Sequence, residues 1–506
     1  MKPIIPMPRL AVALDGAPLP PDVLSTLGEL SVSQMLSAPG QCELTFFEPP
    51  AEFADGTRLS PGAALEVRLG DGEPLFTGEL TAVEFIHGPS QGRMIRARGY
   101  DLLHRLRKAQ PVRAHVQLTC ADLARELAGP LGLEVQATDE GPPWQRLIQF
   151  RQSDLDLLVE TTERCGLYFT LRGQVLQMIT LAGIGDALPL KLGDTLLETR
   201  IEINGDSACR SVRASAWDPA KVETRQGQAD RARVGREIAA RVWPDRLGSN
   251  GQRTLVDEAV HDDQQAEAIA QAELDRHVVK EVSLWGVADG NTALRPGTII
   301  DVTGVGASFE GRYVIASARH AIDTHKGYTT EVSTAPPAPR PRRRGTIAAW
   351  GRVSRVDDPD RLGRVQVSLP TYGDVETDWM GVVIAGAGKG KGMISLPDVN
   401  DHVLVLFTNE DPAQGLVVGG LYGAGGAPDE GGVEGNAVRR YLMLTPGGQK
   451  LELDDTRKSA RLQNSDGSFI EMTPDKVVLH ANRDLHLEAP GKSVYIRGDQ
   501  VHFDRK

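Results

Sequence analysis

The sequence is short of aromatic residues, has only four cysteines, holds no run near the ~20 apolar residues of a membrane-spanning helix, and shows no excess of positive charge. Each shortage excludes something. Aromatics are 5% of 506 residues while glycines number 54, a balance that disfavours large aromatic cores and favours strands, turns and loops. Cys42, Cys120, Cys165 and Cys209 form no Cys-x-x-Cys pair, and the chain is too long to need stapling, so they read as reduced, packed thiols. A formal net charge of -12 argues against a surface built to hold nucleic acid or an anionic membrane, because both need cationic patches. The opening MKPIIPMPRLAVAL sets prolines where a signal peptide needs an unbroken apolar segment, so synthesis in the cytoplasm without a signal peptide is expected. His-Glu-x-x-His, Gly-x-Ser-x-Gly and zinc-ligand spacings are also missing, and the carboxylates are scattered over turns. The chain therefore reads as a non-enzyme, with no catalytic residue and no cofactor assigned.

What is present is organised by two composition breaks. Residues 335–344 (APPAPRPRRR) are proline-rich and basic and cannot pair as a central strand, which makes them a linker. Residues 424–438 (AGGAPDEGGVEGNAV) are glycine-rich and acidic with little to bury, and read as a loop. Before the linker, strand-like runs at 64–69 and 75–85 precede two capped helix patterns, TCADLARELAGPLG from Thr119 and SDLDLLVETTERCG from Ser153. A further helix is expected near 262–277, followed by strands over 282–332, so this region is α+β. Between the breaks, short strands at 363–369 and 402–407 separated by turn chemistry suit a small Greek-key barrel.

The last segment carries a repeat. Apolar pairs at i, i+2 return every eight or nine residues: Leu442/Leu444, Leu451/Leu453, Ala460/Leu462, Ile470/Met472, Val477/Leu479, Leu485/Leu487, Val494/Ile496 and Val501/Phe503. Turn formers such as Pro446-Gly447-Gly448 and Asp466-Gly467 lie between them. Strands this short offer one thin apolar edge and no second layer to cover it, so the segment should not fold alone. Several copies winding together, with the pairs turned to a shared axis, would solve this and give an intertwined β-prism.

The stretch from Asp358 to Tyr422 is similar to the oligonucleotide/oligosaccharide-binding-type barrel of the phage tail spike, baseplate V and VgrG families. The likeness rests on Asp358, Pro359, Gly363, Arg364, Val365, Trp379, Ala385, Gly386, Pro397, Val403, Val405, Phe407, Asp411, Pro412, Val418, Gly419 and Tyr422. The preceding region resembles the phage hub, or late-control D, part of the same proteins through LFTGELTAVEF, RARGYDLLHRL, FRQSDLDLLVETTERCGLYF and GRYVIASARH. The layout resembles the spikes of extracellular contractile injection systems. The fold implied is mainly β with an α+β hub: phage-hub-like β-barrels with a helical insertion, an OB-fold barrel, and a C-terminal intertwined triple-stranded β-helix. Segment bounds are a hub at 1–335, a linker at 336–344, the OB-fold at 345–423, a Gly-rich loop at 424–439 and a trimeric needle at 440–506.

The resemblance implies a homotrimeric structural spike that joins an inner tube to a tip and pierces a target envelope when a sheath contracts. It implies inner-tube and baseplate partners at the hub, a PAAR-like tip protein at the C-terminus, tube-borne cargo, no nucleic acid, and transient contact with a target membrane. The protein would be part of a phage-tail-like particle, cytoplasmic until release or firing. Needle-axis packing is expected from Leu442, Leu444, Leu451, Leu453, Leu462, Ile470, Met472, Leu485, Leu487, Val494, Ile496, Val501 and Phe503. Two departures qualify the match. Residues 399–403 (VNDHV) replace the family's Gly-Asp-Glu-Val, and no lysozyme domain separates barrel from prism, so wall-degrading activity is not implied.

Other motifs have plainer readings. GAGKGKG at 386–392 lacks the Lys-Ser/Thr pair of a phosphate loop and reads as a flexible barrel loop. The arginines of the linker read as a solvated connector, and Tyr372, Trp379, Phe407 and Tyr422 as core rather than base-stacking residues. Related spike tips hold iron through axial histidines, which makes His502 the candidate ligand. Strand alternation turns it outward when Val501 and Phe503 face the axis, so no metal is assigned. The alternative from another class is a tail-associated cell-wall or glycan hydrolase.

Overall fold

The structure, a computed structural model, describes residues 9–55, 58–88, 92–218, 221–256, 258, 260–323, 327–341 and 345–504. It divides into two compact units, Met1–Gly420 and Leu421–Lys506.

Alternation builds the largest sheet. In Leu27–Met35, Gln41–Phe47 and Gly92–Tyr100, the side chains of Leu30, Val32, Cys42, Leu44, Phe46, Ile95 and Ala97 point inward and are buried, while Ser31, Ser33, Glu43, Arg96 and Arg98 share the opposite face. These strands pair antiparallel with Phe76–Gly88 in an eleven-stranded sheet. Its other half comes from far along the chain. Ser317–Asp323 pairs with Leu27–Met35, placing His320 opposite Val32, and is followed outward by Gly327–Ser333, Val282–Asp289 and Leu196–Ile203. His320 is buried with Nδ1 against the hydroxyls of Tyr328 and Thr330, and burial pushes its pKa down to about 3.

Two helices of the intervening segment are set by their caps. Helix α1 (Cys120–Ala128) and helix α2 (Asp154–Arg164) each start in a reciprocal capping box, Thr119 with Asp122 and Ser153 with Asp156. Their apolar faces pack with Phe169 and Met178 of the adjoining three-stranded sheet. Ser153→Ala is expected to cost about 1 kcal/mol, read as a lower urea midpoint at unchanged slope. Helix α3 (Asp263–Glu281) runs four residues past its expected end and lies on the hairpin Ser211–Asp218/Glu223–Ala229. A Cβ at Gly227 would overlap the backbone of Ala266 and Glu267, so the close approach requires glycine.

Six strands between Ile347 and Leu421 form the small barrel. Ile347–Arg355 pairs on one side with His402–Phe407 and on the other with Arg364–Leu369, which closes the sheet on itself. Val353, Val365, Val367, Val403, Val405, Phe407 and Val417 fill it. Phe150, from the helical segment, completes this core with its ring 5.7 Å from Tyr372, which in turn meets Phe407 edge-on at 6.0 Å. Phe150→Ala is expected to cost about 3 kcal/mol and to lower the barrel's unfolding midpoint in a urea titration.

Candidate functional site

The C-terminal unit contains a five-stranded antiparallel sheet, Arg440–Leu444, Lys450–Asp454, Ser459–Gln463, Phe469–Met472 and Val477–His480. Residues paired across antiparallel strands share a face. The register therefore collects Tyr441, Met443, Leu451, Leu453, Ala460, Leu462, Ile470, Met472, Val477 and Leu479 on one side. All of these but Ala460 are between 41% and 70% exposed. The first pair departs from the sequence pattern: Leu442 lies opposite Glu452 and Leu444 opposite Lys450, so Tyr441 and Met443 stand on the apolar face in their place. A one-residue offset is enough, because side chains alternate with period two.

The opposite face is internally satisfied. Lys450 pairs with Glu452, and Arg461 binds Glu471 at 3.2 Å and Gln463 at 3.0 Å while lying 4.0 Å from the Phe469 ring centroid. Phe469 stacks on His480 at 5.0 Å. Glu452 and Asp454 are 7% and 4% exposed. The polar side of this sheet is thus the covered one and its apolar side is open, the reverse of a sheet packed on its own core.

Beyond His480 the described chain has no paired strand, and Leu485, Leu487, Val494, Ile496, Val501 and Phe503 are all exposed. His502 Nε2 lies 3.2 Å from Gln500 Oε1, and among the described residues of one chain no three His, Cys, Asp or Glu side chains converge as a metal site. The Gly-rich segment at 424–439 is more ordered than a plain loop: Val433–Glu434 pairs with Ala437–Val438, and Arg440 clasps Asp429 at 2.6 Å.

In the barrel, the family-matching residues Asp358, Gly363 and Arg364 build one motif. Asp358 accepts from the backbone N–H of Asp360, Leu362 and Arg364, and from the Arg364 guanidinium at 2.6 and 3.0 Å. Gly363 supplies the left-handed conformation, φ 74°, that this turn needs. Both charged side chains are under 10% exposed. At the 399–403 departure Asn400 takes φ 74°, a conformation Asn tolerates, and its N–H donates to Val353.

The remaining candidates resolve individually. In the 386–392 loop the backbones of Gly388 and Lys391 bond each other in both directions at 3.1 Å, so these N–H groups are spent on a tight turn rather than offered to phosphate. Tyr372 and Phe407 are core, Trp379 is half-buried under the Arg355 guanidinium, and Tyr422 is exposed rather than core, because it follows the last barrel strand. In the linker, Arg340 is not simply solvated: it reaches Asp156 at 2.6 Å and donates its backbone N–H to Glu163 at 3.1 Å. Residues 342–344 of that linker lie outside the described residues.

A cavity of about 350 Å³ adjoins this clasp, walled by Phe150, Leu157, Glu160 and the 409–412 turn. A hydrolase would need a carboxylic acid kept protonated beside an ionised partner. Asp156 is held below the ordinary carboxylate range instead, through Ser153 and Arg340 overriding its burial, and Glu160 accepts from Gln152.

Comparison with known proteins places this architecture. The family model of the Alg8 N-terminal domain matches residues 46–324, over half of the chain, and that of the type VI secretion system/phage-baseplate injector OB domain matches residues 349–422. No curated protein sequence matches the chain. A chain of the Francisella PdpA-VgrG complex, half-lidded, is 9% identical at a TM-score of 0.55, over 94% of this chain and 88% of that one. An E. coli type VI secretion system component, described as structurally similar to T4 bacteriophage tail proteins gp27 and gp5, is 13% identical at a TM-score of 0.53, over 81% and 99%. The 43 kDa tail protein of prophage MuSo2 from Shewanella oneidensis is 17% identical at 0.50, over 65% and 98%. The chain has the mainly β, OB-containing fold of VgrG-like and phage-tail proteins.

Proposed function

Since the chain belongs to the family of the Alg8 N-terminal domain and carries an injector OB domain, we propose that it is the central spike of a contractile injection system, acting as a homotrimer. The open apolar face of the C-terminal sheet carries this reading. Ten apolar side chains in register on one face, with the polar face already satisfied, are what a strand system needs if copies of itself are to cover it. The unpaired stretch after His480 supplies further apolar pairs, and strands from sister chains would complete its backbone hydrogen bonds.

In this reading the segment at 1–335 seats on inner-tube and baseplate proteins and the 440–506 segment forms a needle. The axial residues are those of the observed apolar face, continued by Leu485, Leu487, Val494, Ile496, Val501 and Phe503. A PAAR-like protein caps the strand ends, and cargo travels in the tube. Stiffness does the mechanical work, since interchain backbone bonds and an interleaved apolar axis resist splaying under axial load. Contact with the target membrane is brief and made by the tip. Among the described residues no helix is long and apolar enough to span a bilayer.

Mass measurement of the full chain in solution tests the proposal and is expected to give three chains per particle. A stable monomer with an ordered C-terminus would overturn it. Removal of 441–506 is expected to leave the Met1–Gly420 unit with its own cooperative melt while abolishing delivery by the assembled particle.

A further inference from the structure

We propose that the open face of the three-stranded sheet Ser211–Asp218, Glu223–Ala229 and Gln252–Leu255 is a glycan-binding surface for a neutral oligosaccharide, with Trp217 as the platform under a sugar ring. Alternation gives the sheet two unlike faces. Val212, Ala214 and Ala216 point to α3 and are buried with its Ala266, Ile269 and Ala270. The residues between them, Arg213, Ser215 and Trp217, point the other way. The register adds their neighbours: Gln228 lies opposite Arg213, Gln226 opposite Ser215 and Thr224 opposite Trp217, while Thr254 flanks Arg213 on the third strand. All of these but the half-buried Ser215 are exposed.

The composition of this face selects the ligand. The chain has 68 acidic residues, yet among the described residues none points from it. The hairpin's own carboxylates, Asp218 and Glu223, bind Arg225 on the helix side at 3.1 and 2.5 Å. Arg213 is the one charge on the face among the described residues, too little to hold a polyanion or an anionic membrane. Trp217, 50% exposed, is its one large apolar side chain, too little to dock an apolar protein surface. What remains is an aromatic ring beside amides, hydroxyls and a guanidinium. A pyranose ring matches that set: its C–H face is apolar and lies against an indole, and its hydroxyls donate and accept as glutamine and threonine do. Among the described residues the side chains of Arg213, Thr224, Gln226, Gln228 and Thr254 make no hydrogen bond or ion pair, so their polar groups are available.

The surface is preorganised. The helix backs the sheet, and the close approach of Gly227 to Ala266 and Glu267 holds the hairpin against it, so a sugar would bind without ordering a loop. With no pair of carboxylates to flank a glycosidic bond, the face holds a glycan and does not cleave it. In a spike it would hold the particle at a glycan coat, but the binding itself is independent of that reading.

Isothermal titration of the purified full chain with cellohexaose and with N-acetylchitohexaose tests it, the first presenting hydroxyls alone and the second adding amides. Saturable binding of at least one is expected, and it should not weaken with added salt, because a neutral ligand brings no charge to screen. Trp217→Ala should lose about tenfold in affinity or more, and Trp217→Phe should keep part of it. Gln226→Ala should weaken binding by less than Trp217→Ala does. These positions are exposed, so the variants should keep the parent's urea midpoint. Binding of neither sugar, binding that Trp217→Ala leaves unchanged, or binding that disappears in salt would each overturn the proposal. None of these outcomes bears on the mass measurement that tests the trimer.

Discussion

A chain carrying Leu462→Asp and Ile470→Asp is expected to sediment as a monomer at concentrations where the parent chain is expected to sediment as the proposed trimer. The two residues are cross-strand partners at the middle of the apolar face, 55% and 43% exposed in the single chain. Covering the rest of each in an assembly is worth roughly 1 kcal/mol, so three copies of the pair forfeit on the order of 6 kcal/mol. The six introduced carboxylates must also be desolvated at one level of the axis, at several kcal/mol per ion by an order-of-magnitude estimate, and they repel one another. The same pair changed to Leu462→Val and Ile470→Val keeps the face apolar and should keep the trimer. Sedimentation velocity on both variants reads the difference. A trimeric aspartate variant would show that this face is not the interface.

Asp358→Ala is expected to unfold the barrel or lower its stability by about 3–5 kcal/mol, because it takes from the buried Arg364 its buried partner, leaving only the exposed Asp360, and orphans three backbone N–H groups. The Arg364 guanidinium and these N–H groups, against the opposing effect of burial, bring the Asp358 pKa down to about 2. An unfolded aspartate titrates near ~3.9. The folded value is the lower one, so the stabilisation is complete above pH ~4 and is lost as pH falls through ~2, an effect of roughly 2–3 kcal/mol. Urea unfolding followed from pH 6 to 2 should show this loss in the parent chain. In Asp358→Asn the acid-dependent part should shrink, since no carboxylate remains to protonate at that site. An unchanged acid dependence in that variant would assign the titration to other groups.

Legibility from the sequence followed the range of the interactions involved. The capping boxes at Thr119 and Ser153 depend on residues three apart, and both helices start where those residues put them. The strand at His402–Phe407 is bounded by its own alternation and turn chemistry. The Asp358/Gly363/Arg364 turn was visible as a family pattern, and the hydrogen bonds give that pattern its physical cause.

Non-local choices were not legible. Nothing near Phe150 announces that its ring belongs to a barrel formed two hundred residues later. The clasp of Arg340 by α2 needed the fold to bring a linker against a helix. The offset at Leu442 and Leu444 has the same origin: the spacing of apolar residues is local, but which of two alternating sets shares a face is decided by the register with the neighbouring strand.

By itself the sequence determined the local elements, the α+β-then-β order, the barrel's family pattern and an apolar repeat with nothing of its own to cover it. Only the tertiary structure decided the rest. It joined strands near residue 32 to strands near residue 320 in one sheet and buried the Asp358–Arg364 pair. It also showed that the uncovered side of the terminal sheet is its apolar one. The physical reason is that caps, turns and alternation act within a few residues of the chain. Partners distant in sequence are selected by packing and by the requirement that each buried polar group find a partner.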